Sequence, residues 1–242
     1  MIYFCGIEVI DMHKLLVFDL DGTLAPVGKG ALPETIEKLK ALENAGHRIA
    51  LCSGKPTYYL CGILRQWELR KPIMIGENGA VFQLGVDLPP AEFMIFPYSD
   101  LARKQLRLLK DRIDSEWKDP IWYQPNEVAV TPFPYDDACF EYIQSIIDLY
   151  PEDLTELAVY RHSDCFDILP KSINKAEGIA YFVSTIGLTP KDVVTVGDGV
   201  NDLPMFEYAD LSIGIGHGVT GKATLSFETI GEALDYLLTN DM

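Results

Sequence analysis

The apolar run Leu15-Leu16-Val17-Phe18 is cut off by Asp19-Leu20-Asp21-Gly22-Thr23, and this junction constrains the fold more than any other part of the chain. A short continuous apolar run bounded by Asp and Gly predicts a strand buried on both faces of a parallel sheet. In open α/β sheets, chemistry takes place just beyond the carboxyl ends of the strands. Asp19 and Asp21 stand in that place, and an extended backbone would point both side chains to one face. An ordinary Asp-Gly turn is the plainer alternative.

Two further predicted strands end in residues that carry chemistry. Residues 47–52 lead into Ser53-Gly54-Lys55, a turn whose hydroxyl and N–H groups are donors for an oxyanion. Residues 192–196 lead into Gly197-Asp198-Gly199-Val200-Asn201-Asp202, which adds two carboxylates beside a glycine-rich turn. Because the carboxyl ends of parallel strands meet at one edge of a sheet, these residues are expected to share a crevice.

The alternation of strands and helices predicts an α/β fold with a Rossmann-like parallel sheet as its core. Asn174 is the predicted N-cap of one helix, and Lys175 stands in its first turn, where the helix dipole disfavours a cation unless an anion is near. Asn78-Gly79 between two apolar runs predicts a tight hairpin turn. The predicted helices cover residues 33–45, 58–67, 175–186, 203–206 and 230–238, and the additional strands cover residues 72–75, 81–82 and 211–215.

From about residue 85 the pattern changes to helix–hairpin–helix–hairpin, which predicts an antiparallel α+β unit with two helices. The first helix has an apolar stripe at Leu101, Leu106, Leu109 and Ile113, and the second covers residues 136–150. The predicted strands cover residues 121–124, 128–131, 157–162 and 165–169. We therefore expect an inserted domain over residues 85–170 and a discontinuous core over residues 1–84 and 171–242, with residues 1–11 as an N-terminal annex.

Composition excludes several classes of function. The chain has 242 residues and a formal net charge of −16, which disfavours nucleic acid and anionic membranes as partners. No apolar segment approaches the length of a membrane span, and the first 14 residues lack the pattern of a signal peptide. The five cysteines are scattered without a Cys-x-x-Cys pair, so neither a zinc site nor a disulfide framework is indicated. A cytoplasmic location is the expectation, and the oligomeric state stays open.

A glycine pattern near the end of the chain resembles a dinucleotide-binding motif. Gly216-His217-Gly218-Val219-Thr220-Gly221 matches G-x-G-x-x-G after a predicted strand. That motif also requires a helix, a second strand and an acidic residue about twenty positions further on. Only 21 residues remain, and they end in one predicted helix, so a dinucleotide site is not expected.

Four carboxylates are expected in one crevice, those of Asp19, Asp21, Asp198 and Asp202. They repel one another strongly unless a hard cation holds them. Mg²⁺ fits best, because it accepts a few carboxylates and shares its other positions with water and phosphate. A carboxylate nucleophile beside Mg²⁺ is the arrangement of phosphoryl transfer through an aspartyl-phosphate.

The chain resembles the haloacid dehalogenase (HAD) superfamily, whose motifs it contains in order. These are DLDGT at 19–23, CSGK around Ser53, the lysine of INKAEGI at Lys175, and GDGVND at 197–202. The insert resembles the large α/β cap of the Cof-like and sucrose-phosphatase-like branch. Two positions depart from that branch: Lys55 stands where Arg is frequent, and IGHGVTG after the last strand replaces a common Asn-Ala pair.

The resemblance implies a role for each motif residue. Asp19 would be the nucleophile, and Asp21 the general acid and then the general base. Mg²⁺ would be bound by Asp19, the main-chain carbonyl of Asp21 and Asp198, with Asp202 in support. The implied phosphate- or substrate-binding residues are Thr23, Ser53, Gly54, Lys175 and Asn201.

These features together predict a Mg²⁺-dependent phosphatase for a small phosphorylated metabolite, such as a sugar phosphate or phosphoglycolate. A phosphomutase like phosphomannomutase and a catalytically inactive binding protein on the same fold are the alternatives. Arg161, His162, Tyr123 and Asn126 are candidate substrate contacts in the insert. Each is more often an ordinary surface or packing residue.

Overall fold

The computed structural model describes residues 13–240, so the annex expected over residues 1–11 lies outside the described residues. Its strands, in chain order, are β1 (Leu15–Phe18), β2 (Arg48–Cys52), β3 (Ile73–Gly76), β4 (Val81–Leu84), β5 (Glu92–Ile95), β6 (Trp122–Tyr123), β7 (Pro132–Phe133), β8 (Leu157–Arg161), β9 (Phe166–Pro170), β10 (Val193–Gly197), β11 (Leu211–Ile215) and β12 (Leu225–Phe227). Its α-helices are α1 (Pro33–Asn44), α2 (Thr57–Gln66), α3 (Asp100–Glu116), α4 (Asp137–Leu149), α5 (Lys175–Thr185), α6 (Leu203–Tyr208) and α7 (Ile230–Thr239).

A sheet of eight strands in the order β12-β11-β10-β1-β2-β3-β4-β5 forms the centre of the core. The strands from β12 to β3 in this order pair in parallel, and β4 pairs antiparallel to β3. All four residues of β1 are fully buried, as expected for a strand covered on both faces. The predicted Rossmann-like fold class is confirmed, although β5 and β12 had no counterpart among the predicted strands.

The strand order reverses beside β1, and this reversal positions the candidate site. From β1 the chain proceeds outward through β2 and β3 on one side, whereas β10, β11 and β12 fill the other side. Connections therefore leave the neighbouring ends of β1 and β10 in opposite directions, which opens a crevice at their carboxyl ends. The register that pairs Phe18 with Val196 brings the segments after both strands to that crevice.

The loop between β3 and β4 is wider than the tight Asn-Gly turn predicted for it. Gly76 pairs with Val81, and the four residues between them include a short 3₁₀ turn over Glu77–Gly79. The N–H groups of Glu77 and Asn78 donate to the carbonyls of Lys55 and Ser53. The loop is thus held by the end of the neighbouring strand β2, and a two-residue turn would forgo those bonds.

Two compact units are present, one formed by Ile95–Ile173 and the other, the core unit, by the residues on both sides of it. The sequence pattern places these limits at 84/85 and 170/171. The inserted unit begins at Ile95 and not at residue 85 because β5 joins the sheet of the core unit next to β4.

The inserted unit, Ile95–Ile173, consists of two antiparallel hairpins and two helices. β6 pairs with β7 and β8 with β9, and main-chain hydrogen bonds in both directions between Val130 and Ile168 join the hairpins. The predicted strand 128–131 is therefore reduced to a single bridge at Val130, and regular pairing begins at Pro132. Side chains from both helices and from β9 form one apolar cluster, including Leu109, Ile143 and Phe166.

Helix α3 buries a slightly different stripe from the one predicted. Leu101 is 51% exposed, and Ala102 takes its place among the buried residues. Spacings of four, three and four residues connect Ala102, Leu106, Leu109 and Ile113, which keeps all four on one face of the helix. Within the described part of the chain, no helix is both long and apolar enough to cross a membrane.

Candidate active site

Asp19 and Asp198 come together because they follow two neighbouring parallel strands. Asp19 directly follows β1, is 5% exposed, and donates its main-chain N–H to the carbonyl of Val196 in β10 at 2.9 Å. Asp198 directly follows β10 and is partly exposed. The pairing of the strands thus delivers a buried and an accessible carboxylate to the same crevice.

Lys175 lies between two carboxylates in this crevice. Its Nζ donates to Oδ1 of Asp19 and to Oδ1 of Asp202, each at 2.6 Å, and the residue is 2% exposed. Burial by itself lowers the pKa of the ammonium group, but the charges of Asp19 and Asp202 outweigh burial and raise the pKa well above its usual value. Lys175 is therefore charged. Its position in the first turn of a helix indicated a nearby anion, and the carboxylates of Asp19 and Asp202 fill that role.

Asp202 closes the glycine-rich turn in addition to pairing with Lys175. Its Oδ2 accepts hydrogen bonds from the main-chain N–H groups of Asp198 and Gly199, both at 3.0 Å. A Cβ on Gly197 would lie 2.5 Å from this same oxygen, so only glycine fits there. The fully buried Asp202 consequently sets the position of Asp198.

Thr23 links the turn after β1 to the turn after β10. Its hydroxyl lies 2.7 Å from Oδ1 of Asp198 and 3.2 Å from Oδ2 of Asp19, and its single proton serves one of them at a time. Gly22 has a φ of +93°, and a Cβ there would lie 2.3 Å from Oδ2 of Asp198. The Gly22-Thr23 pair thus lets Asp198 approach the backbone closely.

The side chain of Asp21 lies apart from the other three carboxylates. Oxygens of Asp19, Asp198 and Asp202 lie within 4.8 Å of one another, and Asp21 is outside this group. The carboxylate of Asp21 is 35% exposed and lies 3.7 Å from Nζ of Lys55. Asp21 forms an isolated bridge with Ala25, and the chain turns after it, where Leu24 and Ala25 donate to the carbonyl of Leu20.

Ser53, Gly54 and Asn201 differ in their surroundings. Ser53 is 3% exposed at the end of β2, and its Oγ accepts from the main-chain N–H of Lys55 at 3.3 Å. Gly54 follows it and is half-buried, whereas Asn201 is exposed with its Oδ1 close above Gly199. Ser53 thus lies at the strand end next to β1, and Asn201 faces solvent at the rim of the turn.

The four candidate residues of the inserted unit all contact neighbours there. Arg161 bonds to Gln144 and Glu141 of α4 and lies over the ring of Phe140 at 4.5 Å. The remaining contacts are of His162 with Asp167 at 3.3 Å, of Tyr123 with Asp114 at 2.7 Å, and of Asn126 with Thr131 at 3.0 Å. Arg161 is accordingly anchored to a helix as a packing residue.

The cluster of three carboxylates from Asp19, Asp198 and Asp202 provides the oxygen ligands that a hard divalent cation requires. Burial raises the pKa of Asp19 to about 6 against the opposing charge of Lys175, and burial also raises the pKa of Asp198. Lys175 supplies a single positive charge beside a cluster of three carboxylates, two of which it contacts directly. A cation bound to these oxygens would balance the excess charge, and their chemistry suits Mg²⁺.

Residues 16–131 and 134–222 match the family model of haloacid dehalogenase-like hydrolases. The chain belongs to this family. The resemblance inferred from the four motifs is thereby confirmed, and with it the prediction that the chain is an enzyme.

Individual relatives agree with this assignment. A phosphoglycolate phosphatase from Methanopyrus kandleri is 24% identical over 204 residues, covering 84% of this chain and 84% of the relative. A protein of Bacillus subtilis named putative phosphatase YkrA is 25% identical over 235 residues, and the match covers 85% of this chain and 87% of the relative. The structure of a haloacid dehalogenase-like hydrolase from Bacteroides thetaiotaomicron superposes with a TM-score of 0.70 at 22% identity, covering 93% of this chain and 99% of the other.

In this haloacid dehalogenase-like hydrolase, two glycines outside the predicted site residues position Lys175. Helix α5 packs against the turn over Glu77–Gly79, where a Cβ on Gly178 would lie 2.4 Å from Cα of Gly79. A Cβ on Gly79 would likewise lie 2.5 Å from the carbonyl oxygen of Asn174. The signal available in the sequence was a glycine inside a helix, which indicates a packing requirement.

We expect Gly178→Ala to lower turnover at least tenfold, because α5 must move away from Gly79 and carry Lys175 with it. Overpacking of this kind destabilises by about 1–3 kcal/mol, which a shift in melting temperature would report. Gly62→Ala is the matched control, since a Cβ on Gly62 in α2 would meet open space among the described residues. Alanine there should stabilise the fold by up to ~1 kcal/mol and leave turnover unchanged. Unaltered turnover in Gly178→Ala would contradict the positioning role.

Proposed function

We propose that the chain is a Mg²⁺-dependent phosphatase that hydrolyses a small phosphorylated metabolite through an aspartyl-phosphate on Asp19. The observation that carries the proposal is the clustering of Asp19, Asp198 and Asp202 around the buried ammonium group of Lys175. The names of the relatives from Methanopyrus kandleri and Bacillus subtilis support a phosphatase. The name of the Methanopyrus kandleri relative supports a phosphoglycolate-like acid as the substrate, and the motif resemblance adds a sugar phosphate as the other candidate.

The chemistry divides between Asp19 and Asp21. A carboxylate oxygen of Asp19 attacks phosphorus, the phosphorus–oxygen ester bond breaks, and Asp21 gives its proton to the leaving alkoxide. Asp21 then takes a proton from a water molecule, which attacks the aspartyl-phosphate, releases inorganic phosphate and regenerates Asp19. Asp21 suits both tasks, because its carboxylate reaches solvent, whereas that of Asp19 is buried.

The remaining site residues would hold the metal and the phosphoryl group. Asp19, the main-chain carbonyl of Asp21 and Asp198 would bind Mg²⁺, with Asp202 in support; a bound ion would offset charge on the phosphoryl oxygens. The hydroxyl groups of Thr23 and Ser53, the N–H of Gly54 and the ammonium of Lys175 are the donors proposed for those oxygens. Asn201 would orient the turn that contains Asp198.

A panel of phosphorylated metabolites, assayed for release of inorganic phosphate with Mg²⁺ present, tests the proposed function. The expected result is phosphate release from one or more small phosphate esters. An isomerised ester without free phosphate would instead identify a phosphomutase. Absence of turnover with the whole panel and with p-nitrophenyl phosphate would identify a catalytically inactive protein.

We expect a chelator to abolish activity and added Mg²⁺ to restore it. Asp198→Ala should weaken metal binding, because it removes one of the three clustered carboxylates. Without metal, the same variant should lose far less stability than it loses metal binding, because relief of repulsion among like charges offsets the lost hydrogen bond from Thr23. Titration calorimetry with Mg²⁺ and thermal unfolding measure the two effects, and Asp210→Ala, at an exposed carboxylate, is the control. Full activity in a metal-free preparation would overturn the metal requirement.

A further inference from the structure

A cavity of about 330 Å³ lies in the inserted unit, between helix α3 and the segment that runs from Tyr123 to Thr131. Tyr98 and the buried Leu106 are among its lining residues. Every lining residue belongs to Ile95–Ile173, and every residue of the candidate active site belongs to the core unit. The cavity is within the size range of pockets that bind small organic molecules.

One wall of the cavity presents three cationic side chains. Arg103, Arg107 and Lys110 lie on successive turns of α3 and therefore along one face, over a distance of roughly 10 Å at the helical rise of about 1.5 Å per residue. Glu127 is the one acidic residue among the described residues that line the cavity. Among the side chains that line the cavity, cations outnumber carboxylates three to one, which favours an anionic ligand.

The two outer cations are held in place by aromatic rings. The guanidinium carbon of Arg103 lies 4.6 Å from the ring centre of Tyr98, and Nζ of Lys110 lies 4.1 Å from that of Tyr123. Each also has a carboxylate neighbour on its own helix, Asp100 for Arg103 and Asp114 for Lys110. These contacts restrict both side chains before a ligand arrives, which reduces the entropy lost on binding.

Arg107, between them, is available to a ligand. It is exposed and forms no ion pair with any residue in the described range 13–240. Across the cavity, the amide of Gln124 donates to Oδ1 of Asn126 at 2.9 Å, and the amide of Asn126 donates to the hydroxyl of Thr131 at 3.0 Å. The cavity thus combines a free guanidinium group with an ordered polar wall opposite it.

We propose that this cavity binds a small polyanion with two or more phosphate groups. One phosphate group can contact two neighbouring cations of this row, whereas a diphosphate or a bisphosphate offers the charge and the length to engage all three over roughly 10 Å of helix. Planar guanidinium groups match phosphate oxygens with paired hydrogen bonds, so Arg103 and Arg107 favour phosphate. This binding site goes beyond the phosphatase activity and uses none of the carboxylate, lysine or hydroxyl groups of the candidate active site, although Tyr123 and Asn126, named above as candidate substrate contacts, line it.

Titration calorimetry of the full chain with methylenediphosphonate, a diphosphate analogue that resists hydrolysis, tests the proposal. The chelator-treated protein is used so that metal in the core unit does not attract the probe. We expect saturable binding that weakens when NaCl is raised from about 50 to 200 mM. Arg107→Gln should weaken it at least tenfold, the usual effect of removing a charge-assisted hydrogen bond.

Lys104→Gln is the matched control, because Lys104 lies on the same helix, is exposed and does not line the cavity. It should bind the probe like the parent protein. Both substitutions are at exposed positions, and unchanged melting temperatures would show that a loss of binding is not a loss of folding. Equal weakening in both variants, no binding up to millimolar probe, or equally tight binding of inorganic phosphate would each overturn the proposal.

Discussion

Asp21→Asn is expected to lower the turnover of alkyl phosphate esters by about 10²- to 10⁴-fold, the usual contribution of positioned acid–base catalysis. The substitution removes the group that protonates the leaving alkoxide and later deprotonates water. It should leave Mg²⁺ binding largely intact, because the side chain of Asp21 is outside the cluster of carboxylates from Asp19, Asp198 and Asp202. Lys55, at 3.7 Å, then loses its ion-pair partner at an accessible site, where such pairs contribute little to stability.

An activated aryl phosphate separates the two roles of Asp21. Its leaving group needs little protonation, so Asp21→Asn should still be phosphorylated on Asp19 and then stall before hydrolysis. Rapid-quench mass spectrometry would detect the accumulated phosphoprotein, and Asp19→Asn, which lacks the nucleophile, is the control that should show none. If Asp21→Asn turned over slowly without any phosphorylated protein, direct attack by water would be the better mechanism.

Lys175→Met is expected to abolish turnover and to destabilise the metal-free protein by about 3–5 kcal/mol, the usual result of removing one partner from a buried ion pair. Methionine has a similar length, so little space is left empty. Its lack of charge leaves the buried carboxylates of Asp19 and Asp202 without their ammonium partner. Thermal and urea unfolding of the chelator-treated protein measure the effect.

Acid provides an internal check on this explanation. In Lys175→Met, protonation of a buried carboxyl removes the unpaired charge, so the stability deficit relative to the parent should shrink as the pH falls from 7 to 5. Lys222→Met, at an exposed lysine, should show neither the deficit nor its pH dependence. A deficit in Lys175→Met that did not change with pH would indicate lost packing in place of lost charge.

The sequence alone was sufficient for the features that depend on near neighbours along the chain. Apolar runs ending in Asp, Ser or Gly located strands β1, β2 and β10, and Asn174 was recognised as an N-cap whose side chain accepts from the N–H of Glu177. Each of these patterns lies within a few residues, where backbone preferences and capping chemistry act directly. They also identified the chemical groups of the candidate site and the family.

Only the tertiary structure decided which of those groups meet. Lys175 lies between Asp19, 156 residues away, and Asp202, 27 residues away, and the Gly79–Gly178 contact that holds its helix joins two segments with no local relation. The same holds for β5 and β12, short strands with little signal of their own that form because neighbouring strands offer them hydrogen bonds. The carboxylate of Asp21 is outside the cluster of Asp19, Asp198 and Asp202 and lies instead 3.7 Å from Nζ of Lys55. Side-chain directions after a turn and lateral strand pairing depend on packing between distant residues, which no local pattern encodes.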